Sequence, residues 1–403
     1  MMDALLLITL ILGFYMAWNI GANDVANAMG TSVGSRALTL KKAVLLAAVL
    51  EFTGAFFVGG DVSETIQHGI VRPEVFAGEP VVFVLGMMGA LLATGIMLHV
   101  ASYFGLPIST THAIVGSVIG FGAVVGGIEA VHWGEVGKIA SSWIISPVLS
   151  GLVSFGLFTV VQKQVLFARD PLVATQRLAP LFVAGCFVVA ALSFSSHTLS
   201  PVSIAASAGL LGFGGSAVLL RRVPVTASPV NAVYLSVENI FVYLQILTAC
   251  LVAFAHGAND VANAIGPVAA VISVLNTHTL QSHATIPSWL LALGGGGIVL
   301  GLATWGWRVI ETVGERITEL TPTRGFCAEF GTAATVLLAS KLGLPISTTH
   351  ALVGAIFGVG MARGLQALNL QMVKEIVLSW VVTIPLCAAA SIGAFYGLRA
   401  IFL

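Results

Sequence analysis

Two octapeptides, each written twice and in the same order, constrain this chain more than any other feature. Residues 21–28 and 257–264 both read GANDVANA, and residues 105–112 and 343–350 both read GLPISTTH. From residue 21 to residue 105 is 84 positions, and from 257 to 343 is 86, so the pair recurs at nearly constant separation. Identity at that length and register marks an internal duplication. Two structurally equivalent units are expected, roughly 1–165 and 236–403, joined by central membrane segments over 166–235.

Composition places both units in a membrane. Hydrophobic residues make up 57% of the chain and charged residues only 8%, with mean hydropathy +1.01, against about a quarter charged in soluble domains. Seventeen basic residues balance 17 acidic ones, which gives no reason to expect nucleic-acid binding. Cys186, Cys250, Cys327 and Cys387 lie in apolar blocks without metal-ligand spacing and read as core or lipid-facing residues. The opening MMDALLLITLILGFYMAW has no basic n-region and reads as a first span rather than a cleaved signal.

A span needs about 20 apolar residues. About 12 hydrophobic segments satisfy or approach this: 4–20, 37–58, 81–104, 112–127, 143–162, 178–194, 201–220, 237–256, 288–307, 326–342, 351–361 and 376–397. The fold class is an all-α polytopic membrane protein. Segments 112–127 and 351–361 are short and follow GLPISTTH, where Pro107 is expected to break the preceding helix. Broken or re-entrant helices are expected there.

Loop charge sets the orientation. With alternating segments and the N-terminus outside, one face receives 13 of the 17 lysines and arginines, including Arg221, Arg222, Arg316 and Lys374. The other receives only Arg72, Lys138, Lys341 and Arg399. The division fits the positive-inside rule and reads the mixed charges at 308–324 as a solvated inner loop. It puts the Asn23-Asp24 pair near the inner end of its span and Asn259-Asp260 near the outer end of its own. The repeats are therefore expected to be inverted, with a shared site near the midplane.

The motif residues divide into two chemistries. Asn23 and Asn27, four apart on a helix, share a face with Asp24 beside them. Asn259, Asp260 and Asn263 repeat the set. A carboxylate in an apolar segment needs a partner or a wet cavity, and carboxylate and amide oxygens suit a hard cation such as Na⁺. The bland reading of the small residues is helix packing, with Asn as hydrogen-bonding glue. Ser109, Thr110 and Thr111, with Ser347, Thr348 and Thr349, instead stand at helix starts, where unpaired N–H groups and the positive dipole end cradle an anion. A plain N-cap is the alternative.

Neither motif contains lysine or arginine. Bound cations would reconcile an anion with the two aspartates, which points to cation–anion symport. His112 and His350 are open to roles as donors, proton relay or packing groups. Glu51 and Glu329, alone in apolar stretches, are candidates for coupling or a further cation site, or are carboxyls bonded inside the bundle. No Gly-x-Ser-x-Gly elbow occurs, and a mirrored nucleophile has no catalytic use, so no enzyme is expected.

The doubled GANDVANA and GLPISTTH resemble the inorganic phosphate transporter family, sodium/phosphate symporter type, over both terminal units. The resemblance implies inward phosphate transport coupled to Na⁺, or to H⁺, in a homodimer in the cell inner (cytoplasmic) membrane. It implies ion and phosphate binding at Asn23, Asp24, Asn259 and Asp260, and phosphate contact at 109–111 and 347–349. Glu51 and Glu329 stand in contexts resembling glutamates that matter in animal members. The compact middle lacks the large hydrophilic loop of those relatives. Some relatives carry sulfate, so a proton-coupled phosphate or sulfate permease stays open, as does an anion channel using the same helix starts. No cofactor is expected beyond the coupling ion.

Overall fold

The computed structural model describes residues 2–106, 108–194, 201–220, 230–277, 286–310, 321–364 and 370–403. Pro107, Arg221, Arg222, Arg316 and most of the expected inner loop at 308–324 lie outside the described residues. The described chain is helical, without strands. Its helices are α1 (Met2–Gly34), α2 (Leu40–Val58), α3 (Gly60–His68), α4 (Pro80–Tyr103), α5 (Thr110–Val125), α6 (Trp133–Val161) and α7 (Pro171–Ser193). There follow α8 (Pro201–Leu220), α9 (Val230–Thr277), α10 (Ser288–Thr304), α11 (Pro322–Lys341), α12 (Thr348–Arg363) and α13 (Leu370–Phe402). Each of the twelve apolar segments coincides with one helix, while α3 has no counterpart among them. By length and apolarity six of the described helices can cross a bilayer, or seven if α2 and α3, bent by 65° at Gly59, form one span.

Local chemistry sets the ends. Proline stands in the first turn of α4, α7 and α11, where its missing N–H costs nothing. Asp170 caps α7 by accepting from the Val173 N–H at 3.1 Å. The break at GLPISTTH has a different cause from the one expected. Gly105 (φ +66°) and Gly343 (φ +67°) take the left-handed conformation, each donating to a serine carbonyl, Ser102 at 3.1 Å and Ser340 at 3.0 Å. The next residues, Leu106 and Leu344, donate to Ala101 and Ala339, both at 2.9 Å. These are Schellman turns, so glycine ends the helix, and Pro345 follows an end already made. α5 and α12, 16 residues each, extend about 24 Å, short of the roughly 30 Å hydrocarbon core.

The GANDVANA runs also differ from expectation. The apolar segments stop at residues 20 and 256, yet α1 runs on to Gly34 and α9 to Thr277. Asn and Asp lower the hydropathy without breaking the backbone ladder, because their side chains are buried against other helices. Asp24 and Asp260 are thus mid-helix rather than near a span end.

Packing repeats between the units. A Cβ on Gly21 of α1 would run into the Ile298 carbonyl of α10, and one on Gly257 of α9 into the Glu51 carbonyl of α2. The last helices are exchanged: α6 packs on α12, and α13 on α5. Around this bundle the outer faces are apolar, as on α6, which exposes Ile144, Val148 and Leu152. Its inner face carries buried Ser142, Ser146, Ser150 and Ser154 at four-residue spacing. Such a surface suits lipid rather than water.

Gly21→Val and Gly257→Val are each expected to destabilise the protein by at least the ~1–3 kcal/mol typical of overpacking. Melting of detergent-purified protein checks this, with Gly296→Val, which meets no atom within 4 Å, leaving the transition unchanged.

Candidate functional site

Where α1 and α9 pass, the two aspartates face a common space. Thr110 donates to Asp24 Oδ2 at 2.8 Å, and Thr348 donates to Asp260 Oδ2 at 3.0 Å. Each carboxylate is therefore held by the first helical threonine of its own unit's GLPISTTH. His256, one turn before Asp260, joins the halves. Its Nε2 lies 3.0 Å from Asp260 Oδ2 and 4.0 Å from Asp24 Oδ2, and its Nδ1 lies 3.2 Å from Glu51 Oε1. One ligand atom each from Asp24, His256 and Asp260 falls within 4.8 Å of the others. The aspartates form one site, not two.

The asparagines divide by position. Asn27 Nδ2 donates across to Thr349 Oγ1 at 2.8 Å and toward Asp24 Oδ1 at 3.4 Å. Asn263 Nδ2 donates across to Thr111 at 3.2 Å and Thr110 at 3.4 Å. Asn23 and Asn259 turn instead to the Schellman turns of their own units. Asn23 donates to Ser102 Oγ and the Leu106 carbonyl, both at 3.1 Å, and Asn259 to Ser340 Oγ at 3.0 Å and the Leu344 carbonyl at 3.2 Å. Ile108 N–H donates back to Asn23 Oδ1 at 3.4 Å. Bonds within a unit thus hang each GLPIS segment, and bonds between units tie the two segments together. Thr111 Oγ1 adds one more tie, to the Ile346 carbonyl at 3.0 Å.

The two helix starts meet at this point. Ser109 Oγ accepts from the His112 N–H and Ser347 Oγ from the His350 N–H, both at 3.2 Å, as N-caps do. The first-turn N–H groups of Thr110, Thr111, Thr348 and Thr349 have no intrahelical acceptor by helix geometry, and two positive dipole ends converge. The His112 and His350 rings lie 4.4 Å apart, and the His112 ring packs on that of Trp143 at 3.9 Å, tilted by 47°. All these groups are buried. Asp260 Oδ1 and Asn263 Oδ1 are buried acceptors without a hydrogen-bond donor. Acceptor oxygens for a cation therefore adjoin donors for an anion.

The two glutamates part company. Glu51 joins the aspartate site through His256. Glu329 stands apart, its Oε1 accepting from Thr31 and Ser32 at 2.6 Å each and from Gln245 at 3.2 Å, and its Oε2 from Thr248 at 2.7 Å. Sequence reasoning missed His256, although the second copy reads HGAND where the first reads IGAND, with Ile20 in that place. It also missed Ser102 and Ser340, which stand three residues before each GLPIS. The cage around Glu329 left no pattern to find.

Comparisons with known proteins place the whole chain in a family. The profile of the phosphate transporter family matches residues 20–391. The chain is 50% identical to the inorganic phosphate transporter 2-1, chloroplastic, of Arabidopsis thaliana, over 95% of this chain and 70% of that protein. It is 47% identical to a protein of Thermococcus kodakarensis provisionally named a phosphate permease, over 98% and 97%. Among solved structures it resembles a sodium-dependent phosphate transporter, with TM-score 0.94 and 44% identity, over 99% of this chain and 100% of that one. These are transporters and not enzymes, and the chain, a multi-pass membrane protein, belongs to the phosphate transporter family.

Proposed function

We propose that this protein is a Na⁺-coupled symporter of inorganic phosphate working by alternating access. The observation that carries the reading is the meeting of two buried carboxylates with two capped helix starts inside one bonded cluster. Asp24 and Asp260, with Asn27 and Asn263, would hold Na⁺. The donor-free Asp260 Oδ1 and Asn263 Oδ1 fit oxygen ligation of a hard cation. Phosphate would be taken by the first-turn N–H groups and hydroxyls of 109–111 and 347–349. Asn23 and Asn259 would act beside them by fixing the GLPIS turns.

Loop charges support inverted repeats with the N-terminus outside, and the family resemblance supports a homodimer in the cytoplasmic membrane. The bonds between units, Asn27 to Thr349 and Asn263 to Thr111, are the ones that would part and reform when the site changes face. Glu329, met by four donors, is a further coupling site on this reading. Proton coupling is the second reading, favoured by the His256 imidazole between Asp260 and Glu51.

Radiolabelled phosphate uptake into proteoliposomes, with Na⁺ and pH gradients imposed separately, checks the coupling ion. A Na⁺ gradient alone is expected to drive accumulation, and uptake that ignores Na⁺ would sink the sodium reading. Asp24→Asn and Asp260→Asn are each expected to lower coupled uptake by about 100-fold or more, the loss of roughly 3 kcal/mol of cation interaction. Size-exclusion profiles should stay unchanged. Near-normal uptake by both variants would refute the cation role.

A further inference from the structure

A cavity of about 680 Å³ lies between α6 and α11. It runs from Lys138, whose side chain is 67% exposed, to the buried Ser146, Thr335 and Ile346. Its wall is mostly apolar, yet Ser146 Oγ and Thr335 Oγ1 are buried in it without a hydrogen-bond partner. Buried hydroxyls normally find partners, so these two suit a wall that meets water or a polar solute for part of the working cycle.

Two pairs of lining residues bracket one contact. Ser142 and Ser146 flank Trp143 on α6, and Leu344 and Ile346 flank Pro345 in the second GLPISTTH. Between them the Trp143 indole N–H donates to the Pro345 carbonyl at 3.2 Å. Trp143 also meets residues that follow the Ser/Thr runs. Its ring packs, tilted by 47°, on His112 of the first motif at 3.9 Å, and the Trp143 carbonyl lies 3.3 Å from His350 Nδ1 of the second. One side chain therefore touches both motifs, and the residues next to it and next to its Pro345 partner line the cavity. Ser142-Trp143 recurs in sequence as Ser379-Trp380, on α13, which packs on α5 as α6 packs on α12.

We propose that Trp143 is a gate-positioning residue: its indole, latched to Pro345, closes the second Ser/Thr cradle off from this cavity. Release of the latch joins cavity and cradle, giving the solute a way in or out past Lys138. Bulk closes the passage, and the N–H bond holds the bulk in place.

A thiol placed by Ser347→Cys reports on the seal. Its reaction with a polar maleimide in detergent-purified protein is followed by mass spectrometry of the labelled peptides. With Trp143 intact, labelling is expected to be slow. Trp143→Ala is expected to speed it by about tenfold or more, as local opening allows. Trp143→Phe, which keeps an aromatic ring but loses the N–H latch, is expected to give a rate between those two. Cys387, buried on α13, should stay unreactive in every variant. An unchanged rate in Trp143→Ala would overturn the gate, and so would parallel acceleration at Cys387, which would mean general loosening. The inference rests on reading the Ser/Thr runs as the phosphate cradle, but the two fail separately. Phosphate that does not slow labelling counts against the cradle, whereas dependence of the rate on residue 143 supports the gate.

Discussion

Two carboxylates held together inside an apolar bundle are the constraint on which the rest of this structure depends. Atoms of Asp24 and Asp260 lie within 4.8 Å of each other, a separation at which two negative charges repel by roughly 3.5 kcal/mol at an effective dielectric near 20. Desolvation adds several kcal/mol more for each ion. The duplicated threonines, Asn27 and His256 offset part of that cost. On the proposed reading cations would relieve the remainder, and cations beside converging helix starts would create a place for an anion. Coupling would then follow from the electrostatics, because each ion would make the other's site tenable.

The duplication supplies this arrangement from few residues. Each unit provides an aspartate, a crossing asparagine and a capped helix start. The exchanged packing of α6 and α13 then locks each unit's last helix onto the other's short one. Symmetry is broken at His256 and Glu51. The contacts of Gly21 and Gly257 make Ile298 the counterpart of Glu51, as Ile20 is of His256. One half of the site thus carries a polar pair where the other carries two isoleucines, so the two aspartates have unequal surroundings within a matched frame.

Much of this was legible in the letters. The doubled motifs stand at matching places in two sets of helices, and each apolar segment coincides with a described helix. The absence of basic residues from both motifs is what suggests the division into cation and anion chemistry that the proposed function takes up. Boundaries were less legible, because hydropathy falls at Asn and Asp while the helical backbone continues through both. The cause of the GLPISTTH break was misread for a similar reason: proline is conspicuous in sequence, but Gly105 and Gly343 hold the left-handed turn. The split between Asn27, which crosses, and Asn23, which clamps its own loop, needed coordinates. Both sit on one helical face, and only the neighbouring turn decides between them.

The most direct test of the central claim is equilibrium binding of radiolabelled phosphate to purified protein across a range of Na⁺ concentrations, with Na⁺ binding measured in parallel. Reciprocal coupling is expected: Na⁺ raises phosphate affinity, and phosphate raises Na⁺ affinity by the same factor. Asp24→Asn should weaken or remove that dependence. Phosphate affinity that stays constant as Na⁺ is varied would contradict the account.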